Sequence, residues 1–212
     1  GENLDRKAHT TMNLKDPYKD LYSLYNCIVE KVLKEKDEIQ KGGTTAALVY
    51  VAQDNDKKGI SVNVVSCGDS PVILRREKNL SPDCFGRARV EVSDEYLVSP
   101  HGYTCFERCL MENAGVRFSK GRIFPKDGNT PSMQPSGTIG DVDVTGSYGE
   151  TYNFAVPKMS ETHIQISEGE VVHIIVASDG ILHRNTNLEQ FEGNNFEDAK
   201  AFTNKILKYI TK

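Results

Sequence analysis

The 212-residue sequence has no surplus of positive charge: its formal charge is −4 and its pI is near 5.8. Lysine and arginine are dispersed, and no basic stripe interleaves with aromatics. That excludes the electrostatic footprint of a nucleic-acid partner or an anionic membrane surface. No apolar run is long enough to span a bilayer, and no N-terminal signal pattern appears. The five cysteines (Cys27, Cys67, Cys84, Cys105 and Cys109) form an odd set without a C-x-x-C pair. This argues against a zinc site or a disulfide framework. It fits a reducing compartment, so a cytoplasmic or other intracellular location is expected. His101, His163, His173 and His183 share no H-x-x-x-H spacing, and there is no internal repeat and no linker. One domain over residues 1–212 is expected, with residues 1–16 as a polar arm or cut edge.

Residues 171–176, VVHIIV, form a short apolar run that predicts a strand buried on both faces, with His173 as a satisfied core histidine. The run ends in Ala177 and Ser178, then presents Asp179 and Gly180. A carboxylate at the mouth of a buried strand costs free energy unless a cation or several donors satisfy it. Glycine after it permits a turn, or lets a backbone carbonyl approach an ion. A plain Ser-Asp-Gly turn uses the same residues.

Asp16-Pro17 makes an N-cap and first-position pair, and apolar residues from Tyr18 to Leu33 recur at helical spacing, so a helix is expected to about residue 36. Strands are expected at 44–52, 60–66 and 72–75, as an antiparallel meander with a solvated turn at 54–59. Residues 76–95 read as an irregular surface loop. A short helix is expected at 104–113, capped by Ala114 and Gly115, then two short strands over 116–124. Residues 126–137, rich in Pro, Gly, Ser and Asn, read as a mobile flap. Residues 163–166 read as a strand that turns at Glu168-Gly169, and 196–210 as a closing amphipathic helix. The fold class expected is α+β, a layered sandwich of two antiparallel β-sheets flanked by helices.

Several pieces, in order, resemble the metal-dependent protein phosphatases of the 2C type. They are Gly43-Thr44-Thr45-Ala46, the strand into Gly68-Asp69-Ser70, Glu107-Arg108 before Ala114-Gly115-Val116, Arg122-Ile123, and the strand into Ser178-Asp179-Gly180-Ile181. The resemblance implies a β-sandwich with metal ions at one end. The chemistry it implies is dephosphorylation of phosphoserine and phosphothreonine by water or hydroxide bridging two Mn²⁺ or Mg²⁺ ions. Such ions take hard oxygen ligands and several carboxylates. Carried over by position, Asp179 would be a ligand of the metal pair, with Gly180 following it, and Asp69 would help a third, weaker metal. The Gly-Asp after the family's flap is read at Gly149-Glu150, where Glu150 keeps a carboxylate with a longer reach.

The departures from the family pattern are as informative. The family's Asp-Gly-His-Gly-Gly segment has no match in residues 1–16, and its closing Asp-Asn would fall beyond Lys212. The family's Asp-His is Pro100-His101 here, and its Trp-Asp after Ser-Asp-Gly is Leu182-His183. His183 offers an imidazole, a better match for Mn²⁺ or Zn²⁺ than for Mg²⁺. Two functions follow as expectations. One is a 2C-type domain with an eroded site and weak or partial Mn or Mg binding: a pseudophosphatase that binds or regulates a protein partner or phosphoprotein. The other is an active Mn/Mg-dependent serine/threonine phosphatase completed by segments outside this chain. Arg75, Arg76, Lys78, Arg87 and Arg89 read as a solvated face, and Cys67 as an unreactive thiol for want of a partner histidine motif.

Overall fold

The computed structural model describes residues 16–34, 42–54, 58–102, 104–119, 121–128, 132–134, 136–148 and 151–177. The chain runs α1 (Pro17–Lys34), β1 (Gly43–Thr44), β2 (Ala46–Gln53), β3 (Gly59–Cys67), β4 (Val72–Leu80) and β5 (Arg89–Val98). It continues with α2 (Cys105–Asn113), β6 (Arg117–Ser119), β7 (Arg122–Phe124), β8 (Ile139–Gly140), α3 (Val142–Thr145), β9 (Lys158–Gln165) and β10 (Glu170–Val176). Two antiparallel sheets, ordered β2-β3-β9 and β10-β4-β5, make the sandwich, with the pairs β1-β8 and β6-β7 beside it.

The core between the sheets is aliphatic: Val62, Val64 and Ile164 from one, Val72, Leu74, Leu97 and Val98 from the other. The opposite face of β3 turns Val65 and Cys67 toward α1, where they meet Leu21, Tyr25 and Ile139. α1 starts where expected because the Asp16 carboxylate accepts the Lys19 N–H at 3.2 Å and Pro17 needs no donor partner. Its stripe of Leu21, Tyr25, Ile28, Val29 and Val32 is the side laid on the sheet. A third cluster, around Met111, Ile123, Val144 and Tyr148, joins α2, β7 and α3. The result is an α+β arrangement of antiparallel sheets and helices. Among the described residues no helix is long and apolar enough to cross a membrane.

Several expectations are corrected. The strand buried on both faces is β3, which has a neighbour on each edge, α1 above and the second sheet below. β10 instead pairs with β4 alone among the described residues; Val171 is 50% exposed, and His173 is exposed rather than a core histidine. β4 does not continue a meander: the chain crosses to the second sheet between Cys67 and Val72. Likewise Gly169, at φ +74°, carries the chain from β9 to β10, which belong to different sheets.

Residues 76–95 are largely strand, not loop. Their polarity hid them, because opposite charges replace apolar alternation across these strands. Arg75 lies within 3.3 Å of Asp94 on β5 and 2.6 Å of Glu77, and Arg76 lies 2.6 Å from Glu170 on β10. The Arg76 guanidinium holds the Glu170 carboxyl down, to about 2. The turn between β4 and β5 is built by Asp83, whose carboxylate accepts the N–H groups of Phe85 (2.8 Å) and Arg87 (2.9 Å). The expected flap is anchored where it is described: Met133 exchanges two backbone hydrogen bonds with Ile123, and the Ser136 hydroxyl donates to the Gly102 carbonyl at 2.8 Å. The helix expected at 196–210 lies outside the described residues.

Asp94 is fully buried against Arg75, and Glu77 keeps its hold on the guanidinium when Asp94 is removed. Asp94→Ala is expected to lose about 1–3 kcal/mol of stability, more than replacing both residues by leucine and methionine. Urea unfolding of the single and double variants checks this.

Candidate functional site at one end of the sandwich

The strand registers bring the motif-bearing loops to one end. Ala46 opens β2 opposite Cys67 at the end of β3; Val72 opens β4 opposite both Val98 and Val176; Lys158 opens β9 opposite Ser66. Thr45, Asp69, His101 and Ala177 therefore emerge from neighbouring strands at the same edge. The Ala177 N–H reaches the Pro71 carbonyl at 3.5 Å, two residues from Asp69.

The turn carrying Asp69 is held from three sides. Gly68 sits at φ +105°, a conformation side chains rarely adopt, and a Cβ there would collide with Thr45. The Thr45 and Ser70 hydroxyls are 2.8 Å apart. His101, buried, supplies the third hold. Its Nε2 lies 3.1 Å from the Val156 carbonyl and carries the hydrogen, which leaves Nδ1 to accept the Gly68 N–H at 3.1 Å. The His101 N–H in turn donates to the Gly68 carbonyl at 2.8 Å. Gly137 lets the imidazole in: a Cβ there would stand 2.6 Å from the ring. Burial, with the charge of Lys158, lowers the His101 pKa below its ordinary 6.5 and keeps the ring neutral, against a smaller opposite pull from Glu107.

Beside His101, Pro100 offers only a backbone carbonyl, and Lys158 occupies it: Nζ donates to the Pro100 oxygen at 3.0 Å and pairs with Glu107 at 2.8 Å. Glu107 also closes the capping box that starts α2 at Thr104. Its neighbour Arg108 pairs with Glu112 at 2.8 Å, and Arg122 grips Ser132 at 2.7 Å. Each of these charged residues of the resemblance thus has a partner within the protein. Cys67 is buried and burial raises its thiol pKa, so it is a poor nucleophile as expected.

Of the five residues singled out for a metal, Asp69 is the one described. Asp179, Gly180, His183 and Glu150 lie outside the described residues. Among the described residues, no three His, Cys, Asp or Glu side chains group closely enough to hold a metal ion. Two divalent ions need several hard oxygens, so a metal pair here would draw on residues outside the described ones as well as Asp69. The sequence reading missed Asp141. It follows β8 at φ +49°, accepts the Thr138 hydroxyl at 2.7 Å, and packs its carboxylate against Gly43 where any side chain would collide. Its signal was the intact Gly-Asp step at Gly140-Asp141, which needs no substitution, unlike Gly149-Glu150. Its work is to clasp β1 to β8, with its N–H on the Gly42 carbonyl at 2.9 Å.

The antiparallel sheets, the helices and the loops gathered at one end define an α+β sandwich of the kind the motif order implied. A family model, protein phosphatase 2C, matches residues 4–189, and the chain belongs to that family. No match was found among curated proteins or among solved structures.

Two outcomes test the clamp. Gly68→Ala is expected to lose at least about 1–3 kcal/mol from backbone strain alone, and Thr45→Ala placed with it should recover part of that loss. For His101, a folded pKa below the unfolded one means stability is fully present above about 6.5 and falls as pH drops through that value toward the folded pKa. Thermal melts between pH 7.5 and 5 should show this slope, and His101→Gln should flatten it.

Proposed function

We propose that the chain is a protein phosphatase 2C domain with an eroded metal centre, a pseudophosphatase that works by binding or regulating a protein partner or phosphoprotein. The observation that carries this reading is the Pro100–Lys158 contact. Where the family pattern has a carboxylate beside the buried histidine, this chain has a carbonyl already satisfied by an ammonium. Leu182-His183 in place of Trp-Asp supports it from the sequence, since a second carboxylate is replaced by an imidazole. What remains, Asp69 in a clamped turn, Asp141 after β8 with its carboxylate engaged by Thr138, and Asp179 after β10, gives weak or partial occupancy by Mn or Mg. The clamp ties these loops by hydrogen bonds within the protein, which supports a binding module.

The other reading is an active serine/threonine phosphatase. The span of the family match favours it, because residues 4–189 take in both Asp179 and the stretch before α1. In that case carboxylates from segments outside this chain complete the metal set. A phosphoserine peptide with millimolar Mn²⁺ separates the two. The pseudophosphatase reading expects no release of phosphate above the Asp179→Asn variant. Multiple turnover that Asp179→Asn abolishes overturns it.

A further inference from the structure

β5 is an edge strand: in the sheet order β10-β4-β5 it has a partner on one side only among the described residues. It runs ten residues, Arg89–Val98, with Arg89, Val90, Glu91, Ser93 and Glu95 exposed. Edges of this length are templates for pairing, and proteins usually blunt them with proline or lysine. β5 has neither. Its charges instead select a partner. When two copies of β5 pair antiparallel about a twofold axis, faces are preserved and odd residues meet odd. The register centred on Val92 sets Arg89 opposite Glu95 of the second copy, twice by symmetry, and Glu91 opposite Ser93. Registers centred on Glu91, Asp94 or Glu95 set a carboxylate against itself, and one centred on Ser93 sets Glu91 against Glu95. A register centred on Val90 reaches only from Arg89 to Glu91 within the strand.

Two other features fall into place in the Val92 register. Phe85, at the tip of the β4–β5 turn, is 78% exposed on a turn preorganised by Asp83. A cleft of about 620 Å³ opens between β5 and β9, with Glu95, Leu97, Val98, Lys158 and Met159 in its walls. Pairing about Val92 directs the turn that carries Phe85 of one copy toward the Leu97–Val98 end of the other, where that cleft opens. An exposed aromatic then meets a cleft of mixed polar and apolar walls.

We propose that this chain forms a twofold dimer through its β5 edges, in the register centred on Val92, with the Arg89–Glu95 pairs selecting the partner and Phe85 seated at the cleft of the second copy. The dimer joins the two β10-β4-β5 sheets into one continuous sheet. It does not depend on whether the metal centre is active.

Sedimentation equilibrium of the whole chain over a concentration series tests it. Arg89→Glu and Glu95→Arg, each alone, are expected to raise the dimer dissociation constant at least tenfold, and the two together to restore it. Phe85→Ala is expected to raise it as well. These side chains are exposed, and circular dichroism of each variant checks that the fold is kept. As an independent measure, Val92→Cys in a background with Cys27, Cys84, Cys105 and Cys109 changed to serine is expected to give a reducible covalent dimer. A chain that stays monomeric throughout, or a dimer indifferent to both single charge reversals, overturns the proposal.

Discussion

Between Cys67 and Val72 the chain must leave one sheet and enter the other, and the rest of the fold depends on that crossing. β3 is buried on both faces, so it cannot shift to accommodate the turn. The crossing is made by a glycine in a conformation closed to other residues, backed by Thr45 and tied by His101. Every neighbour of that turn is fixed with it. Thr45 leads β2, His101 follows β5, and the Val156 carbonyl that holds the imidazole precedes β9. One buried neutral histidine therefore links loops from both sheets.

The same physics explains how an end of the sandwich can persist without a full set of ligands. A metal pair commonly organises the carboxylates around it, and its loss leaves repelling charges. Here the charges near His101 are neutralised by the protein. Lys158 serves Glu107 and Pro100 together, and Asp141 has the Thr138 hydroxyl and the Gly42 carbonyl as partners for its side chain and amide. Among the described residues, this end of the sandwich is tied together by hydrogen bonds, ion pairs and packing.

Much of this was legible in the sequence where one residue type has one physical meaning. Asp16-Pro17 and Gly115 each announce a helix end and stand where they were expected, while the capping box of Thr104 and Glu107 formed no part of that expectation. Gly68-Asp69-Ser70 and Gly43-Thr44-Thr45-Ala46 were recognisable because glycine there is forced by close approach. The failures have a common cause. β4 beyond Arg75, and β5, were hidden because Arg75, Arg76, Asp94 and Glu170 stabilise pairing by charge rather than by apolar alternation. β10 was taken for a strand buried on both faces because β-branched residues suit an edge strand as well as a central one. Asp141 was passed over because its use lies in contact with Gly43, distant in sequence, and Lys158 because nothing local marks its reach to Pro100.

The central claim is that this family member has lost the strong metal pair while keeping the sandwich. Calorimetric titration of the whole chain with Mn²⁺ tests it most directly. The account predicts at most one weak site, abolished by Asp179→Asn with the thermal melt of the metal-free protein unchanged. Two strong sites per chain would contradict it.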